Sequence, residues 1–300
     1  MKKLFAPLLL VSAAAALFAH TASAQELTGT LKKIKDTGVI ALGVRESSIP
    51  FSYTDNTGKT IGYSQEIALK IVDAVKKDLN LPNLKVTETP ITSQNRIALM
   101  QNGTIDLECG STTHTFERAK QVGFSHNIFL YSIKMIAKSG SGITDLNSLK
   151  GKTIATTAGT TADRILSGKK GEIGFNLIQT KEHSDGFLTV KQGRAVAFVM
   201  DEPLLYGQRA ALPADEAKGY EVVGPNLQFE NYACMLRKDD PAFTKVVNTV
   251  IADMEKSGEM EKLYNKWFTQ PVPPKNQNMN YPMTPEMRAM FKDPITKAYD

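Results

Sequence analysis

Residues 106–118 read DLECGSTTHTFER, and this stretch decides how the surrounding chain is interpreted. Its first residues favour a short strand, its hydroxyl-bearing residues favour a loop, and its last residues favour the start of a helix. Main-chain N–H groups, hydroxyl donors and the positive end of a helix dipole attract anions where such elements meet. Arg118 adds a planar guanidinium that matches a carboxylate through two parallel hydrogen bonds. The stretch therefore predicts a site for a small acidic ligand.

Apolar strand-like runs alternate with helical patterns on both sides of this stretch. Residues 38–44 and 84–89 are typical of buried strands, and residues 64–79 have the apolar spacing of a helix. Strand-like runs start again at residues 153–156 and 195–200. The alternation predicts an α/β protein with mostly parallel sheets flanked by helices. A chain of 300 residues is long enough for two compact units of ordinary size.

The chain begins with the features of a secretory signal peptide. Lys2 and Lys3 precede an apolar run over residues 4–18, and residues 22–24 read ASA, a small-residue cleavage pattern. A transmembrane anchor is the alternative interpretation, but an anchor needs about 18 or more continuous apolar residues, and Pro7 interrupts this run. The sequence therefore predicts cleavage after residue 24 and export of the mature protein.

Charge and cysteine content narrow the classes of function. The net charge is +5, and basic and acidic residues are interleaved, so the sequence lacks the positive stripe that nucleic-acid binding requires. Cys109 and Cys234 lie in apolar runs and form either one disulfide or two buried thiols. The histidines lack ligand spacing, and the turn at residues 158–161 lacks the lysine of a nucleotide loop. We expect no metal and no cofactor.

Several motifs resemble those of the type II solute-binding proteins of bacterial amino-acid ABC transporters, and the resemblance covers nearly all of the chain after residue 25. Ser64 and Gln65 depart from the usual family pattern. The motifs that carry the resemblance are GYSQEIA at residues 62–68, FS at 124–125, LKGK at 149–152, GTT at 159–161 and KWF at 266–268. The runs at residues 45–53, 91–96 and 193–198 are similar to those of members that bind acidic amino acids.

The resemblance implies a type II periplasmic-binding-protein fold, in which two lobes joined by two crossing strands close on a ligand. Lobe 1 would comprise residues 25–130 and 231–300, including a proline-rich C-terminal tail, and lobe 2 residues 131–230. This arrangement would bring Cys234 beside Cys109 in neighbouring strands, so a disulfide is a hypothesis. The implied location is the periplasm, where a monomer would deliver its ligand to the permease and ATPase subunits of an ABC transporter.

The resemblance also assigns side chains to an acidic amino acid, L-glutamate or L-aspartate. Arg118 is expected to bind the α-carboxylate together with Thr113 and Thr161. The α-ammonium is expected to donate to Asp201, with Ser111 beside it. The expected donors to the side-chain carboxylate are Arg45, Ser93, Arg96 and His183, and Phe51 is expected to pack against the methylene groups of the ligand.

The residue types alone leave other interpretations of these side chains open. Arg118 has the alternative of a solvated helix arginine, Thr161 of a helix cap, and Asp201 of a turn or capping residue. A histidine in the position of His183 is often a surface residue whose role depends on its protonation and tautomer. An apolar core position is an equally natural interpretation of Phe51.

Two alternative functions are considered beside a binding protein for acidic amino acids. An enzyme on the same fold, such as a cyclohexadienyl-dehydratase-like protein, would use a cleft carboxylate as an acid or base. The expected cleft residues are mostly permanent cations and hydroxyls, which suit holding a ligand unchanged. A binding protein for another polar amino acid, such as glutamine, would leave two arginines facing a neutral amide. The sequence therefore predicts a binding protein without catalytic residues.

Overall fold

The computed structural model describes residues 27–299, so the predicted signal peptide, residues 1–24, lies outside the described residues. In chain order the helices are α1 (Gly29–Thr37), α2 (Tyr63–Asp78), α3 (Arg96–Gln101), α4 (Phe116–Ala119), α5 (Thr161–Ile173), α6 (His183–Lys191), α7 (Glu202–Ala210), α8 (Ala214–Ala217), α9 (Pro241–Lys256), α10 (Glu259–Phe268) and α11 (Pro285–Lys292). No helix within residues 27–299 combines the length and the apolar character needed to cross a membrane.

The strands are β1 (Val39–Val44), β2 (Ser47–Ser48), β3 (Ser52–Thr54), β4 (Thr60–Ile61), β5 (Lys85–Pro90), β6 (Leu107–Glu108), β7 (Gly123–Lys138), β8 (Thr153–Thr157), β9 (Asn176–Thr180), β10 (Ala197–Asp201), β11 (Tyr220–Val223), β12 (Phe229–Leu236), β13 (Pro271–Val272) and β14 (Gln277–Asn278). Strand β1 lies between β5 and β6 in parallel, and β8 lies between β9 and β10 in parallel. The predicted α/β class is confirmed, and the sheet is mixed, because β7, β11 and β12 pair antiparallel with their neighbours.

Two long strands join the lobes. Strands β7 and β12 pair antiparallel, and the sheet order β5-β1-β6-β12-β7-β10-β8-β9 runs through both of them, with β11 also beside β7. Ser132 of β7 pairs with Phe229 of β12, whereas the next residue, Ile133, pairs with Asp201 of β10. The backbone of β7 thus leaves the sheet of lobe 1 and enters that of lobe 2 at this point. The lobe boundaries at residues 130/131 and 230/231 stay predictions.

Residues 106–118 fold into shorter elements than their sequence pattern suggests. Strand β6 has only two residues, and helix α4 has four, capped by the hydroxyl of Thr115, which accepts the main-chain N–H of Arg118 at 3.2 Å. A single helical turn sums few peptide dipoles, so its dipole contributes little to anion binding. Any preference for anions in this part of the structure must come from Arg118 and from the loop that precedes it.

The C-terminal tail contacts both lobes. After α10 it forms the β13–β14 hairpin and helix α11. The side-chain amide of Gln277 donates to the carbonyl of Leu212 in lobe 2 at 2.5 Å. The hydroxyl of Tyr281 donates to the carboxylate of Glu202, at the start of α7, at 3.0 Å. The main-chain N–H of Asn127 in β7 donates to the carbonyl of Ile295 at 2.8 Å. The tail therefore packs along the junction of the lobes as well as on lobe 1.

A disulfide joins Cys109, which follows β6, to Cys234 in β12. The two residues are 125 positions apart, and both side chains are buried. The bond therefore ties the loop that carries Ser111 and Thr113 to one of the two crossing strands.

We expect the double variant Cys109→Ser/Cys234→Ser to have a lower free energy of unfolding than the oxidised protein. Closing a loop of this length removes conformations from the unfolded chain, an effect of up to about 4 kcal/mol. Equilibrium unfolding in urea with and without a reductant measures the difference, and the variant serves as the control because reductant should not change it. Equal urea midpoints for the oxidised and reduced wild-type protein would contradict a structural disulfide.

Candidate ligand-binding cleft

Three arginines are buried between the lobes. Arg45 follows strand β1, Arg96 begins α3, and Arg118 lies in α4. Desolvation lowers the pKa of Arg96 and of Arg118 to about 10 in each case, and it lowers the pKa of Arg45 as well. The guanidinium groups of Arg96 and Arg118 therefore still carry their charge at neutral pH. Buried charges of this kind need partners of opposite sign.

Arg45 contacts residues from both lobes. Its Nη1 donates to the hydroxyl of Ser111 at 3.4 Å, and its Nη2 lies 3.3 Å from Nε2 of His183. A guanidinium only donates, so Nε2 of His183 must accept. The proton of the neutral imidazole is then on Nδ1, which lies 2.9 Å from the hydroxyl of Thr157.

His183 is therefore a neutral partner of Arg45 in this arrangement. Desolvation, followed by the charges of Arg45 and Arg96, holds the pKa of His183 well below its usual value. Both ring nitrogens have partners within the protein. The expected role of His183 as a donor to a ligand carboxylate stays a prediction. The observed contacts orient the Arg45 guanidinium.

Arg96 has a buried acidic countercharge. Its Nη1 donates to the carbonyl of Ser111 at 3.2 Å and to the hydroxyl of Thr112 at 2.6 Å. That hydroxyl in turn donates to the carboxylate of Glu108 at 2.6 Å. Burial raises the pKa of Glu108, and the charge of Arg96 is the largest opposing influence. Glu108 and Thr112 thus hold one edge of the guanidinium in place.

Arg118 links the two lobes through main-chain carbonyls. Its Nη1 donates to the carbonyl of Thr113 at 3.0 Å, and its Nη2 donates to the carbonyl of Gly159 in lobe 2 at 3.1 Å. Gly159 precedes α5, whose N-cap is Thr160 and whose first residue is Thr161. Arg118 therefore lies close to the N-terminus of a helix of 13 residues in the opposite lobe.

An acidic pair lies beside the arginines. Asp201 ends β10, and the hydroxyl of Tyr232 donates to its Oδ2. Burial, followed by the nearby charge of Glu230, raises the pKa of Asp201 to about 7, although Arg118 and Arg96 oppose the shift. Glu230 is itself 1% exposed and accepts hydrogen bonds from Tyr131 at 2.5 Å and from Thr161 at 2.6 Å.

Five buried polar atoms in this region lack a hydrogen-bond partner among residues 27–299: Nε of Arg45, Nε of Arg96, Oγ of Ser93, Oδ1 of Asp201 and Oε1 of Glu108. Buried polar groups are almost always hydrogen-bonded, so such atoms require an explanation. The first three can donate, and the two carboxylate oxygens can accept. Together they complement a ligand that carries a carboxylate and an ammonium.

The lobes are in contact across the cleft. The side-chain amide of Gln208 in lobe 2 donates to the carbonyl of Ser47 in lobe 1 at 2.8 Å, and the hydroxyl of Ser47 donates to the carboxylate of Glu182 at 3.0 Å. A Cβ added to Gly207 would lie 2.0 Å from the carbonyl oxygen of Ile49. The structure is therefore a closed arrangement in which water has little access to the buried charges.

Most of the side chains expected from the sequence lie in one network. Phe51 is fully buried, and its described ring contacts are with Tyr63, Phe129, Tyr232 and Phe268, so its contact with a ligand stays a prediction. Hydrogen bonds and charge interactions connect Arg45, Arg96, Ser111, Thr113, Arg118, Thr161, His183 and Asp201. Ser93 is buried three residues before Arg96.

Sequence reasoning missed Glu108, Tyr131, Glu230 and Tyr232. The only local signal was an acid inside an otherwise apolar strand pattern, as at Glu108 and Glu230. A buried acid in a strand needs a buried donor or cation, and such residues could have been matched with the candidate arginines. Within residues 27–299 no cluster of histidine, cysteine or acidic side chains could hold a metal ion.

The sequence profile of one family, described as "Bacterial extracellular solute-binding proteins, family 3", matches residues 40–270. The protein belongs to this family. A relative from Pseudomonas aeruginosa, named L-glutamate/L-aspartate-binding protein, is 51% identical over 297 residues, 98% of each chain. A relative from Escherichia coli strain K12, named glutamate/aspartate import solute-binding protein, is 50% identical over 271 residues, 90% of this chain and 89% of the relative. These relatives of the family 3 protein are named for binding and import rather than for catalysis.

Solved structures of similar proteins have the same fold. The solute receptor for L-cysteine of Neisseria gonorrhoeae is similar with a TM-score of 0.70 and 31% identity, covering 80% of this chain and 93% of that chain. An ancestral amino acid-binding protein described as a precursor of cyclohexadienyl dehydratase is similar with a TM-score of 0.68 and 27% identity, covering 81% of this chain and 100% of that chain. The predicted two-lobed fold is confirmed.

We expect Asp201→Asn to stabilise the family 3 protein increasingly as the pH rises. The folded-state pKa of Asp201 is raised to about 7, so the stability associated with its protonated form is present below its unfolded pKa and is lost as pH rises through about 7. The advantage of the variant should grow by roughly 1.4 kcal/mol per pH unit between the unfolded pKa of about 4 and the folded pKa of about 7, and it should stay constant above that. Urea unfolding at pH 5 and pH 9 measures it. An advantage that is the same at both pH values would contradict a buried charge at Asp201.

Proposed function

We propose that this protein is a periplasmic solute-binding protein that captures L-glutamate and L-aspartate by lobe closure. As a monomer it would deliver the ligand to the permease and ATPase subunits of an ABC transporter. The observation that carries this proposal is the pair of buried arginines, Arg45 and Arg96, whose unpaired Nε atoms lie in the same network as the unpaired carboxylate oxygen of Asp201. The names of the relatives from Pseudomonas aeruginosa and Escherichia coli support the same ligand class.

The ligand would use donors and acceptors according to its charges. Its ammonium would donate to Oδ1 of Asp201, which has Tyr232 on its other oxygen. Its α-carboxylate would lie against Arg118 and the N-terminus of α5. Its side-chain carboxylate would accept from Arg45, Arg96 and Ser93. Phe51 would pack against the methylene groups of the ligand, next to the ring of Tyr232. The centroids of these two rings are 4.9 Å apart.

Selectivity for an acid over an amide follows from the charge of the arginine pair. A carboxylate accepts from every donor that the pair presents, and charge-assisted hydrogen bonds are about twice as strong as neutral ones. The amide of glutamine would bring its own donors toward guanidinium groups that also only donate. In a closed cleft with little water, such a mismatch leaves buried donors unpaired, which costs about 1–3 kcal/mol per group.

Closure itself would be driven by the ligand. The closed arrangement holds the positively charged arginines close to one another, and it holds the carboxylates of Asp201 and Glu230 close to one another. A zwitterionic ligand with an extra carboxylate provides both signs of countercharge. A ligand stabilises the conformation that it binds more tightly, so binding would shift the population toward closed lobes.

Isothermal calorimetry on mature protein that has been unfolded, stripped of ligand and refolded tests this function. We expect one-to-one binding of L-glutamate and L-aspartate and much weaker binding of L-glutamine. Refolding matters because ligand that copurifies would mask the site. Absence of heat for both acids from folded protein would contradict the proposed ligand class, and tighter binding of L-glutamine would contradict the proposed role of the arginine pair.

We expect Arg96→Ala to weaken L-glutamate binding much more than L-glutamine binding, so that the preference for the acid falls by about tenfold or more. The ratio of the two dissociation constants is the informative quantity, because general damage to the lobe affects both ligands. Arg194→Ala, a change at an exposed arginine of lobe 2, is the matched control and should leave the ratio unchanged. Equal losses for both ligands would remove Arg96 from the site of the side-chain acid.

We expect Gly159→Ala to weaken ligand binding by hindering closure, whereas Gly151→Ala should not. Both glycines have positive φ, +77° and +73°, so either change strains the backbone by about 1–2 kcal/mol. Only at Gly159 would the new Cβ meet the opposite lobe, at 3.0 Å from the Cα of Gln94, since a Cβ at Gly151 has no atom within 4 Å. Calorimetry combined with thermal unfolding separates the two effects. Equal affinities in the two variants would contradict tight contact at this point.

A further inference from the structure

The carboxylate of Glu230 lies where the crossing strands pair and receives hydrogen bonds from four side chains. Glu230 in β12 is directly opposite Tyr131 in β7, whose hydroxyl donates to Oε2 at 2.5 Å. Thr113, from the loop after β6 in lobe 1, donates to the same oxygen at 3.2 Å, and Thr161 of lobe 2 donates to it at 2.6 Å. The other oxygen, Oε1, accepts from the side-chain amide of Gln228 at 2.7 Å.

The hydroxyl protons of Thr113 and Thr161 are committed to this arrangement. A hydroxyl has one proton to donate. The proton of Thr161 is directed at Glu230, and that of Thr113 is directed at Glu230 or at the hydroxyl of Tyr131, 2.7 Å away. Neither side chain can then donate to a ligand carboxylate. The main-chain N–H of Thr161, at the first position of α5, has no partner within its helix and remains suited to that role.

We propose that Glu230 is a positioning residue of the cleft, a carboxylate on a crossing strand that bonds to hydroxyls of both lobes only when the lobes are closed. This inference rests on the proposed function and deepens it. Thr161 would then strengthen ligand binding through Glu230 rather than by contact of its side chain with the ligand. Closure brings Thr113 and Thr161 to the same carboxylate, so these bonds add to the stability of the closed conformation and slow ligand release.

Glu230 also influences the acceptor for the ligand ammonium. Its charge faces Asp201, together with those of Arg118 and Arg96 and the hydroxyl of Tyr232, and it opposes ionisation of Asp201. Binding of an ammonium requires the ionised carboxylate, so ligand binding should release a proton from Asp201 when the pH is below about 7. Removing the charge of Glu230 should move the midpoint of this proton release to lower pH.

A double-mutant cycle with Thr161→Val and Glu230→Ala tests the inference, with L-glutamate as the ligand. Thr161→Val alone should raise the dissociation constant about tenfold or more, mainly through faster dissociation, because a charge-assisted hydrogen bond of the closed conformation is lost. In the Glu230→Ala background the same change should have an effect of about threefold or less. Stopped-flow kinetics and calorimetry measure the rates and affinities, and Glu221→Gln, at an exposed acid of lobe 2, is the control for charge removal.

Additive losses in the cycle would overturn the inference, because Thr161 would then bind the ligand independently of Glu230. Glu230→Gln keeps the shape of the side chain and provides a second test if Glu230→Ala does not fold. Stopped-flow kinetics should show faster release of L-glutamate from Glu230→Gln than from wild type and from Glu221→Gln; equal release rates would overturn the inference. Failure of the wild-type protein to bind L-glutamate would instead contradict the proposed function, so the two failures are distinguishable.

Discussion

The structure depends on one electrostatic constraint, which is that three guanidinium groups and several carboxylates are buried in the same cleft. Arg45, Arg96 and Arg118 lie within the field of Glu108, Asp201 and Glu230, and each charge is compensated in part by the others. Charges removed from water require such compensation, because an unpaired buried charge costs several kcal/mol. The compensation inside the protein leaves specific atoms unpaired, and these atoms define the chemistry of a ligand.

The backbone supports this arrangement from two directions. The disulfide fixes the loop after β6 to β12, and β12 pairs with β7 along the junction of the lobes. Ser111, Thr113 and Glu230 are therefore placed by the same crossing strands that allow the lobes to move. Glycines at positions 159 and 207 let the opposite lobe approach to main-chain contact. Rigid strands and small residues together allow the cleft to close around a ligand of limited size.

The elements with strong local patterns were predictable from the sequence. Helix α2 buries Ile67, Ile71 and Val72, as the periodicity of residues 64–79 indicates. The dipole expected at Arg118 was overestimated, because α4 has a single turn and its length depends on packing with the rest of the lobe. Local patterns predict which face is buried but not where a short helix ends.

The candidate site was predictable only where a family motif accompanied the residue. The arginines, Asp201 and Thr161 were expected on the basis of the resemblance, whereas Glu230 was not. Its role depends on Tyr131, 99 residues away, and on Thr161, 69 residues away, and no local spacing encodes such contacts. The neutral state of His183 likewise follows from its burial beside Arg45, which only the folded structure reveals.

The most direct test of the central claim is a crystal structure of the mature protein with L-glutamate, prepared from ligand-stripped material. The account predicts closed lobes, the side-chain carboxylate of the ligand on Arg45 and Arg96, its α-carboxylate on Arg118, and its ammonium on Asp201. A ligand in the reversed orientation, with its side-chain carboxylate on Arg118, would contradict the account. So would a ligand bound outside the cleft, with the unpaired atoms of the two arginines left without a partner.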